Sequence, residues 1–324
     1  MIGVTSLPKR SLNRLILGLT LVLVIGAPLV GVVYFLDQYR TPGPGIVDRD
    51  IQVAEEALTT NPNQLTARLA LATAYMKNGR FADALAQYDE ILKASPDAAE
   101  AQLGRGSAEI SLNDLDAAAV DFQKVVDAAS GGEMANVDPQ LESAYFSLGV
   151  IAVKKGQPKD AVISLSKAIQ IRRTDADALN LLGTALIQAG EPARAVAALR
   201  QATALVPIGW CEPYAQMETA YTALNNVAGA QYATGMVALC QGSPEDAKAK
   251  LEPLTSGTYA VDALVGLGLV AEVQNDPAAA VDAYDKVLAI DPTNFAATTG
   301  RGRVGGAPPS NPVASPSAGG TSGG

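Results

Sequence analysis

The chain has 324 residues, 48% of them hydrophobic and only 5% aromatic, with a formal net charge of −9. It contains no histidine, which removes the commonest general base and the commonest metal ligand, and it carries no P-loop, HExxH or paired CxxC. An acidic chain of this kind is a poor partner for nucleic acid, where phosphate neutralisation needs a basic face, and nothing in it calls for a cofactor, a metal or a catalytic residue.

In chain order, the first informative stretch is residues 15–36, LILGLTLVLVIGAPLVGVVYFL, which contains no charge. A helix of this length spans about 33 Å, enough for a bilayer core of about 30 Å. Lys9, Arg10 and Arg14 precede it, while Asp37 and Arg40 roughly cancel. The positive-inside bias assigns residues 1–14 to the cytoplasm and everything beyond the anchor to the far side of the cytoplasmic membrane. The competing reading is a cleaved signal peptide. Its apolar region is usually shorter, and Pro28 directly follows Ala27, the best cleavage candidate. Residues 37–47 form a linker containing TPGPG at 41–45.

From residue 48 to 300 the pattern changes to a repeat. Residues 49–60 read as a lone helix ending at Asn61-Pro62, a candidate cap. A first full unit comes next, with Leu71-Ala72, Tyr75, Gly79, Ala84, Tyr88, Ile91 and Pro96. The second has Arg105-Gly106, Asn113, Ala118, Phe122 and Val125, and departs at Glu109, where an apolar side chain is expected. The segment SGGEMANVDP, 130–139, then inserts a loop, read either as a tolerated surface loop or as a functional one. The third unit holds Tyr145, Leu148-Gly149, Ala152, Gly156, Ala161, Leu165 and Ala168. The same slots recur one repeat later as Leu179, Leu182-Gly183, Leu186, Gly190, Ala195, Leu199 and Ala202, with Pro207 at the exit.

The rhythm breaks at 208–227, where an extra helix at about 213–225 follows Trp210-Cys211. An odd helix in an alternating stack must reverse direction or kink the array, and two pairings remain open. The rhythm resumes with Gly235, Ala238, Gly242, Ala247, Leu251 and Leu254. A last unit has Leu264, Leu267-Gly268, Ala271, Asn275, Ala280, Tyr284, Val287 and Pro292. Residues 301–324 are rich in Gly, Pro, Ser and Ala. They are expected to be disordered, because they have too little apolar surface to offset the entropy of ordering.

At these slots the chain resembles the tetratricopeptide repeat family. The resemblance implies an all-α, right-handed solenoid of about six helical hairpins, preceded here by one transmembrane helix. It also implies that the first helix of each unit lines a concave face. The corresponding positions are Leu69, Thr73 and Met76; Leu103, Ser107 and Ile110; Phe146, Val150 and Val153; Asn180, Thr184 and Ile187; and Tyr232, Met236 and Leu239. That surface is mostly apolar with small hydroxyls, and only Lys77 and Lys154 are basic. It lacks the set of Lys, Asn and Arg that clamps a terminal carboxylate in chaperone-binding members. One reading is a groove for an apolar peptide or amphipathic helix; the other is that several of these side chains pack against neighbouring helices.

Cys211 and Cys240 are the only cysteines. If 212–225 and 228–240 form an antiparallel hairpin, both lie at its open end, and a disulfide there would contribute on the order of 3 kcal/mol. Such a bridge fits an oxidising compartment. The alternative is two unrelated buried thiols.

Together these features lead to the expectation of a non-enzymatic, single-pass, extracytoplasmic scaffold that binds an unidentified protein or peptide for assembly or secretion-associated chaperoning. By analogy with the family, a factor holding apoprotein for cytochrome c maturation stays open, as does a structural envelope protein that oligomerises through its solenoid.

Overall fold

A computed structural model of the chain describes residues 46–305. The expected transmembrane segment at 15–36, the cytoplasmic residues before it, most of the linker and the tail beyond Gly305 lie outside the described residues. Within them are fifteen α-helices, two short 3-10 turns and no strand, and none of the helices is long and apolar enough to cross a membrane. The chain divides into two compact units, residues 1–78 and 79–324.

The described part of the first unit is a single hairpin of α1 (Ile46–Thr60) and α2 (Leu65–Lys77). Helix α1 begins at Ile46, just inside the expected linker. Tyr75 donates its hydroxyl to Glu55 at 2.9 Å, and Asn78 donates to Asp48 at 3.2 Å, so the pair carries two polar ties away from its turn.

The second unit is a stack of antiparallel hairpins. Its helices are α3 (Phe81–Ala94), α4 (Ala99–Ser111), α5 (Leu115–Ala129), α6 (Pro139–Lys154), α7 (Pro158–Ile171), α8 (Ala176–Gln188) and α9 (Pro192–Leu205). They continue with α10 (Glu212–Ala223), α11 (Val227–Cys240), α12 (Pro244–Leu251), α13 (Ala260–Val273), α14 (Pro277–Ile290) and α15 (Phe295–Arg303). Local chemistry sets the helix starts. Asp114, Asp138, Asp175, Asn226, Asp276 and Asn294 each accept a hydrogen bond from a backbone N–H in the first turn of the helix they precede. Proline opens α6, α7, α9, α12 and α14, where its missing N–H leaves no bond unmade. The tight turn between helices needs one residue in the left-handed region. Gly156, Gly190 and Gly242 supply it in three turns, and Asn113, Asn225 and Asn275 in three others, because a short amide side chain tolerates positive φ.

One packing device repeats through the stack. A bulky side chain on the second helix of a hairpin fills a hole left by glycine on the first, and the sequence separation between the two is the same in every case. A methyl group placed on Gly183 would stand 2.5 Å from Leu199 Cγ; on Gly149, 2.5 Å from Leu165 Cγ; on Gly106, 2.8 Å from Phe122 Cζ. Leu199 and Leu165 are fully buried, so they have nowhere to retreat. Tyr284 lies against both Gly268 and Gly300, which stand equally far before and after it in the sequence, and so joins α14 to the helix before it and the helix after it.

The break at 208–227 resolves into both pairings at once. Helix α10 packs on α11, and α11 packs comparably on α12. Helix α11 therefore serves as second helix to α10 and first helix to α12, with a left-handed turn residue on each side, Asn225 and Gly242. Cys211 and Cys240 form a disulfide across the open end of the α10–α11 hairpin, with Cα atoms 5.5 Å apart.

The C-terminal boundary differs from the sequence expectation. The expected disorder begins at 301, yet α15 continues to Arg303. Arg301 pairs with Asp285 at 2.6 Å, and Arg303 forms a two-pronged contact with Glu272 at 2.8 and 3.0 Å. These ion pairs, together with Gly300 under Tyr284, hold a last turn that composition alone argues against.

The packing can be tested at two positions. Intrinsic helix propensity favours Gly183→Ala by about 1 kcal/mol, but the clash with Leu199 opposes it. Chemical denaturation should show a loss of about 1–3 kcal/mol; a gain would mean that close approach is not what selects glycine there. Cys240→Ser should cost about 3 kcal/mol by removing the loop constraint, measured by urea unfolding with and without reductant. Reductant should have no further effect on the variant.

Candidate functional site

The structure distributes the predicted groove positions unevenly. In the first unit Thr73 is exposed, with its hydroxyl donated to the Leu69 carbonyl at 2.8 Å, while Leu69 and Met76 are half-buried. In the second unit Leu103, Ser107 and Ile110 on α4, Phe146, Val150 and Val153 on α6, and Thr184 and Ile187 on α8 are all half-buried. These three first helices are consecutive neighbours, α4 against α6 and α6 against α8. Their equivalent slots therefore form one strip. Phe146, Val153 and Ile187 also pack against the core from beneath. At these positions each side chain is partly packed and partly accessible. Lys77 and Lys154 are exposed.

Asn180 departs from this pattern. It is 7% exposed, and its side-chain oxygen has no hydrogen-bond partner among the described residues. A buried amide oxygen left unpaired costs about 1–3 kcal/mol, and it stands at the buried edge of an otherwise apolar strip.

Tyr232 and Met236 are corrected more sharply. They are 8% and 3% exposed and belong to the core, not to an open groove. The cause is the doubled role of α11: with α10 on one side and α12 on the other, its groove-facing side is covered. Tyr232 stacks on Tyr259 with ring centroids 6.1 Å apart and meets Tyr214 edge-on at 6.4 Å. Leu239 is half-buried.

What remains of the groove there is a cavity of about 270 Å³ enclosed by α9, α10, α11, α13 and the start of α15. Tyr214, Tyr232 and Met236 line it, with Val265 and Leu269 of α13, while Pro207 and Phe295 stand beside them. Arg200 of α9 holds Asp262 of α13 with two bonds of 2.8 and 2.9 Å. The two lie 62 residues apart in sequence, and no local pattern points to their pairing. Burial opposes the charge on Arg200, but the bonds to Asp262 outweigh it and hold the guanidinium protonated. Burial pushes the Tyr214 hydroxyl up to about 12, so it is a neutral donor at physiological pH, engaged with the Pro207 carbonyl at 3.2 Å.

A second hollow of about 710 Å³ lies along α12, α13 and α14, lined among others by Leu264, Leu267, Ala283 and Ile290 with Lys248 and Lys286. It exists because α12 has 8 residues where the equivalent helices α3, α7, α9 and α14 have 14. Pro253, in the 3-10 turn directly after α12, is the sequence signal for this truncation.

The departure of the second repeat at Glu109 belongs to a charge network centred on Arg105. Arg105 replaces the leucine of the other units and bridges three helices, reaching Asp121 at 2.6 Å and Asp89 at 2.8 Å. Glu109 lies one turn on, 3.9 Å from Arg105 and 8% exposed. Burial, then the charge of Asp121, pushes its carboxyl up to about 7, against the pull of Arg105.

Known proteins share this architecture. Two family models, both described as tetratricopeptide repeat, match residues 69–133 and 232–295 and residues 152–207. The chain belongs to the tetratricopeptide repeat family. Among solved structures, YrrB, a TPR protein with an unusual peptide-binding site, is 22% identical, with a TM-score of 0.50 over 62% of this chain and 99% of that one. MamA is 22% identical, with a TM-score of 0.44 over 58% and 92%. The C-terminal part of a TPR repeat-containing protein from Cytophaga hutchinsonii is 18% identical, with a TM-score of 0.49 over 77% and 92%. The likeness to YrrB speaks to the fold alone. No curated protein matches the chain in sequence.

The raised Glu109 pKa has a stability consequence. The folded state binds this proton more tightly than the unfolded chain, so its stabilising effect is complete below about 4.5 and is lost as pH rises towards about 7. Thermal melts should therefore show this contribution declining across that window. Glu109→Gln should flatten that slope and raise stability at pH 8 by about 1–2 kcal/mol; an unchanged pH profile would show that the carboxyl is already ionised in the fold.

Proposed function

We propose that this protein is a non-enzymatic scaffold that captures a protein or peptide partner along the strip formed by α4, α6 and α8. The observation that carries the reading is the run of half-buried apolar side chains, Leu103, Ile110, Phe146, Val150, Val153 and Ile187, at equivalent slots of three successive first helices. A stacked array cannot cover this face with its own neighbours, and an apolar strip at helical spacing suits an amphipathic helix or extended apolar segment.

The array is held at the outer face of the cytoplasmic membrane by the uncharged run at 15–36, with Lys9, Arg10 and Arg14 on the cytoplasmic side. The Cys211–Cys240 disulfide is in keeping with an oxidising compartment. A partner held there would be a protein under assembly, secretion or maturation. The net charge of −9 argues against nucleic acid.

A photo-reactive residue in place of Phe146 or Val150, in the full-length protein in its native membrane, tests this. The control position is the exposed Lys167 on α7. Adducts with another protein from the strip, absent from the control, are expected. Adducts with a second copy of the chain would replace the reading with an oligomeric structural role, and no adducts from either position would overturn it.

A further inference from the structure

The 270 Å³ cavity and the chain that continues beyond α15 match in chemistry and in reach. Tyr214 and Tyr232 are buried beneath the cavity, and its accessible lining comes from Ala204, Pro207, Val261 and Val265. Its charged residues, Arg200 and Asp262, are bonded to each other, so the mouth offers no net charge and selects an uncharged occupant. Phe295 stands beside it, 76% exposed. Residues 306–324 contain no charged side chain. Val313 is their one bulky aliphatic residue; Pro312 precedes it, and Pro308, Pro309 and Pro316 lie nearby.

The distances agree. Helix α15 begins at Phe295 beside the cavity and runs to Arg303, about 13 Å. It is anchored by Arg301–Asp285 and Arg303–Glu272. Gly305 sits at φ +82, a conformation that lets the chain turn as it leaves the helix. The stretch from Gly306 to Val313, extended at about 3.1 Å per residue, covers about 25 Å, sufficient to return to the cavity.

We propose that the segment Pro308–Pro316 docks into this cavity, with Pro312 against the exposed Phe295 ring and Val313 against Val261 and Val265 of α13. Proline-rich chain is already extended and loses little freedom on docking, and the aliphatic lining with Phe295 at its edge gives it an apolar seat. The tether raises the local concentration of the segment to about 1 mM, so a site of only millimolar intrinsic affinity is occupied about half the time. The docked segment covers Ala204 and Phe295, exposed residues of the cavity lining. The inference is independent of the partner proposed for the α4–α6–α8 strip.

The test uses the full chain at low concentration with p-benzoylphenylalanine in place of Ala204, an exposed residue that lines the cavity. A parallel sample carries the label at Ala296, which lines it too, so the outcome does not hang on one variant folding. Irradiation and peptide mapping should give an intramolecular adduct with residues 307–316, at least fivefold above the yield from a label at Lys167. Val313→Asp should reduce it at least fivefold. Equal yields from the cavity and control labels, insensitivity to Val313→Asp, or adducts mapping to a second copy or another protein would each overturn the assignment.

Discussion

The fold depends on how closely two helices of a hairpin can approach, and glycine governs that approach. At Gly106, Gly149, Gly183 and Gly268 the first helix of a hairpin has no side chain at the crossing, and Phe122, Leu165, Leu199 or Tyr284 on the second helix occupies the space. The separation within each pair is constant. It is the path along the rest of the first helix, through a turn containing one left-handed residue, and into the second helix as far as the same crossing. Turn length, helix length and position of the glycine are thereby coupled. A change in one moves the bulky side chain off its hole. The small alanines that surround each crossing, many of them fully buried, let the backbones stay close along the rest of the interface.

The region around α10 lacks this device and is built differently. The slot in α10 that would hold glycine holds Glu218, and the matching position on α11 is Thr234 rather than a bulky apolar residue. Contact is made instead at Gly229, which accepts Tyr221 and Tyr259 against its backbone. The hairpin is built on tyrosines, with Tyr221 edge-on to Tyr259 at 5.7 Å, and a covalent bond closes its open end. Because α11 also keeps the regular glycine arrangement towards α12, through Gly235 and Leu251, it belongs to two hairpins. The array changes phase by one helix there, and the Arg200–Asp262 pair and the cavity beside it arise from this shift.

The Arg105 network is a different substitution within the same frame. Three helices that elsewhere meet through leucine meet here through a guanidinium shared by two carboxylates, with a third carboxyl buried nearby. Removing charges from water is costly, and an ion pair of this kind is weak evidence for added stability. Its clearest effect is to make one crossing of the stack sensitive to protonation, since the buried Glu109 changes charge near neutral pH while the apolar crossings do not.

The repeat length and the all-helical hairpin class were legible in the amino-acid order. Each rests on local rules: one small residue per crossing, one left-handed residue per turn, apolar side chains at helical spacing. The order of residues also put both cysteines at one end of a possible hairpin, through the turn at Asn225 midway between them. The environment of Tyr232 and Met236 was not legible in this way. Their slots match those of Phe146 and Val150, but an extra helix covers them, and which neighbour an odd helix chooses is a competition between surfaces that spacing does not rank. The same holds for Arg200 and Asp262, whose pairing needs α9 and α13 brought together across an intervening hairpin, and for the last turn of α15. There ion pairs to two earlier helices outweigh a composition that, read locally, favours disorder.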